Sequence, residues 1–126
     1  MKELRLFFAR RGALDMKKIS FTQFTDIEMQ VGKIIRVEDF PHARKPAYKL
    51  WIDFGKYGVK KSSAQITKLY DKQQLLDFLV VAVMNFHPKQ VADFMSEVLV
   101  LGVIRGNEEV SLLTVDQEVE LGSRIS

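Results

Sequence analysis

The chain has 126 residues, 47% of them hydrophobic, which fits one globular domain with a real core. Cysteine is absent, so disulfides and thiolate metal sites are excluded. The longest apolar runs, FLVVAVM (78–84) and VLVLGVI (98–104), are too short to span a bilayer. The net charge of +3 hides a polarity, because residues 33–72 carry ten basic and four acidic side chains and residues 73–126 three basic and eight acidic. Such a chain can offer a basic face to phosphates or acidic partners at modest total charge, although scattered solvated lysines would give the same count.

Residues 1–15 read as an N-terminal extension: Leu4, Phe7 and Phe8 share one face of a helical turn, and Gly12 then ends the pattern. The domain is expected over 16–126. The patch LFFA, followed by Arg10 and Arg11, is not the apolar core of a signal peptide. A soluble cytoplasmic protein without membrane insertion is therefore expected. Ser20 is placed to cap a short helix that carries Phe21 and Phe24 inward. Met29, Val31, Ile35 and Val37, at odd positions, predict a half-buried strand in which Gly32 marks a bulge or bend. PHARKP (41–46) is a turn bracketed by two prolines.

In YKLWIDF (48–54), Tyr48, Leu50, Ile52 and Phe54 alternate with Lys49, Trp51 and Asp53, and GKYG (55–58) turns into a third strand, VKKSSA. Ile66, Leu69, Tyr70, Leu75 and Leu76 suggest helical turns interrupted at DKQQ. FLVVAVM, apolar on both faces, predicts a buried strand, and residues 85–96 a long connector. Residues 97–105 give a fifth strand, RGNEE (105–109) a hairpin turn and VSLLTV (110–115) its return. Val119, Leu121 and Ile125 finish an alternating tail. Three strands, a helical connector and further strands make an all-β fold, the five-stranded OB-fold barrel with a short helix between strands 3 and 4 and terminal extensions. A six-stranded SH3-like barrel competes but usually lacks the mid-chain helix. OB-folds bind on the strand 2–3 face, here expected to carry Lys49, Trp51, Lys60 and Lys61 beside Arg44 and Lys45.

Catalysis finds little support. His42 and His87 lie in no metal-spaced motif, and neither a GxxxxGK[ST] loop nor a GxSxG elbow is present. Ser96, His87 and Asp93 could compose a triad on paper, but residues so close in sequence suit a turn better, since triads gather residues from separate elements. Lys60 and Lys61 lead through Ser62, Ser63 and Gln65 toward the expected helix, which suits phosphate, carboxylate or peptide contacts, or a simple Ser63 cap. Trp51 among lysines offers a stacking platform for bases or an apolar patch for peptide; burial at an oligomer interface is the alternative. Asn85 either bonds backbone across the turn or shares a ligand rim with Lys89 and Ser96.

FTDIEMQVGKII, PHARKPAYKLWIDFG, KKSSAQIT, NFHPKQVADFMSEVLVLG and the terminal LGSRI, in this order and spacing, resemble the CsaA branch of the bacterial tRNA-binding-domain family. The resemblance covers residues 20–126. It implies an OB-fold homodimer that is not an enzyme and needs no cofactor or metal. It further implies a chaperone-like protein that binds unfolded preproteins in protein export with the secretion ATPase, or alternatively a structure-specific tRNA-binding protein using the same basic surface. The residues it carries over are Lys33, Arg44, Lys45, Lys49, Lys60, Lys61, Ser63, Gln65, Asn85, Lys89, Ser96 and Glu97, joined by Trp51 from the outward face. The family pattern leads one to expect glycine near position 92 and proline at 87, where this chain has Ala92 and His87; alanine would strain a turn that needs positive φ. A small hydrolase using His87 is the remaining alternative.

Overall fold

The computed structural model describes residues 15–126, so the pattern of Leu4, Phe7 and Phe8 in the expected extension lies outside the described residues. Ser20 caps helix α1 (Phe21–Thr25) through a capping box: the Gln23 backbone N–H donates to Ser20 Oγ and the Ser20 N–H to Gln23 Oε1. The helix does not carry Phe21 inward. That ring is 78% exposed, with the half-buried Phe24 ring 6.2 Å away.

Strand β1 (Met29–Asp39) is long and pairs twice, with β4 (Leu79–Val83) over its first half and with β2 (Tyr48–Asp53) over its second. Its inward residues differ from the expected odd set. The register slips between Ile34 and Arg36, so Ile35 is the extra residue of a bulge and is 44% exposed, while Ile34 is fully buried. On the same inner side, a Cβ on Gly32 would stand 2.6 Å from both Ile52 and Phe54, so only glycine lets those side chains close over the strand. β2 alternates as expected, with Tyr48, Leu50, Ile52 and Phe54 buried.

Strand β3 (Val59–Ala64) pairs with β2 and runs straight through Ser63, so Ser63 caps no helix. The expected helical turns over 65–76 reduce to α2 (Lys72–Leu75). The polar DKQQ segment is the helix start rather than an interruption: Asp71 Oδ1 accepts from the Gln74 N–H, and Gln74 Oε1 from the Asp71 N–H. Beyond β4, the connector contains a hairpin of β5 (Lys89–Val91) and β6 (Phe94–Ser96). The fifth strand divides into β7 (Leu99–Val100), which joins the sheet, and β8 (Gly102–Ile104), which pairs with β9 (Val110–Leu112) as the expected second hairpin.

The main sheet is antiparallel, in the order β3-β2-β1-β4-β7. It curls so that the free edge of β3 meets the segment leading into β7: the Glu97 N–H donates to the Lys61 carbonyl (2.8 Å), and the Val98 N–H reaches the same oxygen. This is a nearly closed OB-type barrel with α2 between strands 3 and 4. Ile34, Leu50, Ile52, Phe54, Leu75 and Val80 fill its interior, each burial worth roughly 1.5–3 kcal/mol. The tail covers the remaining edge of β1, the Gly122 N–H donating to the Val31 carbonyl and the Ile125 N–H to that of Met29.

Candidate nucleic-acid and polypeptide interface

Two surfaces flank the β5–β6 hairpin. The first is a groove of about 1010 Å³ between the 42–47 loop, the hairpin and the start of β7. Ala43, Ala47, Val91 and Val98 contribute apolar lining, and Phe86 and Leu99 stand exposed beside them. Arg44, Lys45 and Lys89 supply the cationic side, beside His42 and His87. Of the carboxylates nearby, Glu97 Oε1 accepts from the Lys61 N–H (3.0 Å) and Asp93 accepts from His42 Nδ1 (2.9 Å). That hydrogen bond holds the Asp93 carboxyl below its usual range. The groove is thus apolar inside and positive at its rim.

The second surface is the outer face of β2 and β3. Cross-strand register puts Trp51 opposite Lys61 and Lys49 opposite Ser63. Phe94 of β6 packs edge-on against Trp51 (5.6 Å, 72°) and against Phe40 (5.7 Å, 67°). Lys49 Nζ sits 5.0 Å from the Phe40 ring centre and 5.5 Å from that of Phe94, and Lys61 Nζ 5.2 Å from Phe94. The Arg36 guanidinium covers Trp51 at 4.3 Å. The bulge at Ile35 is what brings Arg36 onto this face.

The expected site residues therefore divide. Arg44, Lys45, Ser63, Gln65, Lys89, Ser96 and Glu97 line the groove. Lys49, Trp51 and Lys61 form the aromatic–cation face, where Trp51 lies half-buried under Arg36 and Phe94 instead of standing free as a platform. Lys33 stands opposite Asp53 in the register of the β1–β2 ladder. Lys60 does not share the face of Lys61: it stands opposite Ile52, because neighbouring strand residues point to opposite sides. Asn85 is a staple, its Oδ1 accepting from the Glu28 N–H (2.9 Å) and its Nδ2 donating to the Asp26 carbonyl (2.7 Å). Ser96 joins Glu97 in closing the barrel, with Oγ accepting from the Ser63 N–H (3.0 Å). Ser96, His87 and Asp93 compose no triad, since Asp93 pairs with His42 and Ser96 with Ser63.

Phe94 completes these surfaces, and so do Phe40, Arg36 and the His42–Asp93 pair, which were absent from the expected set. A period-2 reading of Phe94 and Ser96 was the signal that could have placed Phe94 outward toward β3. Among the described residues, no group of three His, Cys, Asp or Glu is placed to hold a metal ion.

Residues 29–124 match the family model of the tRNA binding domain. The chain belongs to the tRNA-binding-domain family. Methionine–tRNA ligase of Pyrococcus furiosus is 34% identical over 116 residues, and that of Thermococcus kodakarensis 37% over 110. These stretches take in 92% and 87% of this chain but only 16% and 14% of the ligases. Among solved structures, the chaperone CsaA of Bacillus anthracis superposes with a TM-score of 0.84 at 44% identity, and the CsaA chaperone protein of Picrophilus torridus with 0.81 at 51%. Each is covered completely, by 87% and 86% of this chain respectively. This tRNA-binding-type domain therefore shares its fold with CsaA chaperones and its sequence with a short segment of methionine–tRNA ligases.

Proposed function

We propose that this protein is a CsaA-type chaperone that holds unfolded polypeptide in the groove beside the β5–β6 hairpin. The observation that carries the reading is the groove itself, with its apolar lining, exposed Phe86 and Leu99 and cationic rim. An extended chain gains from such a cleft by burying apolar side chains, while the rim accepts acidic ones. The likeness to two CsaA chaperones supports it. In this reading the ligands are unfolded preproteins on their way to export, handed to the secretion ATPase, and the protein acts in the cytoplasm as a homodimer without enzymatic activity. The test is suppression of aggregation of a chemically denatured model protein. Phe86→Ser, a change at a 57% exposed ring, is expected to weaken polypeptide binding by roughly 1–2 kcal/mol with the melting temperature unchanged. No suppression at stoichiometric protein would reject the proposal.

A second reading, structure-specific tRNA binding, is favoured by a separate observation: the cations of the β2–β3 face lie beside aromatic rings in a domain whose family model is that of tRNA binding. It predicts affinity for folded tRNA that falls steeply with salt. Salt-insensitive binding would reject it.

A further inference from the structure

We infer that Lys49 and Lys61, gathered over the ring of Phe94, form a phosphate clamp for RNA that is separate from the polypeptide groove on the other side of the hairpin. The inference rests on the tRNA-binding reading and gives it a site. Lys49 and Lys61 are diagonal neighbours across the β2–β3 ladder, a spacing of about 7–8 Å in antiparallel pairs. Two like charges so placed ordinarily diverge into solvent. Here both ammonium groups lean on one ring, within 5.5 and 5.2 Å of its centre, and the ring quadrupole offsets part of their repulsion.

The nearby carboxylates are committed elsewhere. Glu38, opposite Lys49 in the β1–β2 register, is paired with Arg36. Asp53 accepts from the Gly55 N–H at 2.9 Å, and Asp93 is held by His42. Among the described residues, neither lysine makes an ion pair within 4.0 Å. Two half-buried cations thus share one ring without a direct ion pair, although Asp93 lies near enough to Lys49 for the lysine's charge to help hold its carboxyl low, and Glu97 accepts from the Lys61 N–H. An anion with several oxygens placed between the two ammonium groups would relieve that repulsion. A phosphodiester fits because successive phosphates also keep Arg36 within the same track, and a guanidinium stacked on Trp51 still presents N–H groups at its edge. Phe94 is the link between the two surfaces, since β6 projects it to the clamp while β5 faces the groove.

Trp51 is the sole tryptophan and touches the clamp, so its emission reports occupancy. The test titrates the whole protein with bulk tRNA while following Trp51 fluorescence, and in parallel measures binding of a denatured, labelled model protein. The double variant Lys49→Gln/Lys61→Gln is compared with Lys17→Gln/Lys56→Gln, which removes the same charge from exposed positions elsewhere. Expected is a loss of tRNA affinity of about ten-fold or more and a salt slope lower by about one per lysine for the clamp variant alone. Its polypeptide binding stays unchanged. Phe94→Tyr, which keeps the ring and its packing, is expected to retain the affinity. Wild-type protein with no affinity for tRNA would reject the RNA reading altogether. Binding that both double variants weaken equally would overturn the clamp and leave that reading standing. Equal loss of polypeptide binding in the clamp variant would show one shared site. An equal Trp51 response to polyglutamate at matched charge would assign the clamp to acidic polypeptide instead of RNA.

Discussion

Ala92 has φ 49°, in the first of the two residues joining β5 to β6. A two-residue hairpin of this kind favours glycine there, and an alanine Cβ in the left-handed region costs roughly 1 kcal/mol. The strain that the sequence allowed for, if the turn needed positive φ, is therefore present. Ala92→Gly should stabilise the fold by about 0.5–1 kcal/mol, read as a higher urea midpoint at unchanged m-value; a lower midpoint would show that the turn is not strained. The same residue explains why the hairpin was not legible. VADF contains none of the Asn-Gly, Asp-Gly or Gly-first pairs that announce a tight turn, so β5 and β6 read as connector. With them went the packing of Phe94 against Trp51 and Phe40, around which both surfaces are arranged. Asn85 was legible only as an alternative between staple and rim, because a single sequence does not say which backbone lies across a turn. The amide chooses the staple by bonding at both ends.

Elements with strong local signals were read correctly and those dominated by tertiary pairing were not. The alternation of β2 and the apolar run of β4 each fix a face or a depth by periodicity alone. The phase of β1 fails at one residue: the bulge at Ile35 shifts its second half and turns Arg36 outward, and a bulge depends on the partner strand as much as on its own sequence. The β5–β6 hairpin, in turn, is tied to the 42–47 loop by the His42–Asp93 bond, which bridges one end of the groove. This bond has a pH signature. Asp93 is held below its usual value by the His42 hydrogen bond, so its contribution is fully present above the unfolded carboxylate value and is lost as pH falls through the lowered one. Wild-type protein should thus melt slightly above Asp93→Asn near neutral pH, and the gap should close in acid below the ordinary carboxylate range. A gap that persists at that acidity would mean that the carboxylate charge is not what ties the loop. The pair is exposed, so the effect is small.

At the scale of the molecule, the positive and apolar surfaces divide by position. The basic segment supplies the clamp and part of the groove rim, while the apolar side chains left in solvent gather at the N-terminal side of the barrel as well as at the groove. Met16, Ile19, Phe21 and Ile27 are all exposed within one short stretch around α1. Scattered apolar residues are ordinary, but four exposed ones on and on either side of one capped helix resemble an interface. Between two copies, a two-fold arrangement would set each Phe21 against the same surface of the other chain, which is the physical motive for the homodimer proposed above. Light scattering at micromolar concentration should then give twice the 14.5 kDa chain mass. Phe21→Ser should shift the protein toward the monomer and make its melting temperature fall on dilution, because a dimer that forms only in the folded state draws stability from concentration. A monomeric mass for the wild-type chain would overturn the homodimer. A Phe21→Ser protein that stays dimeric at the same concentrations would move the interface away from α1, toward the exposed Val103 and Ile104 of β8.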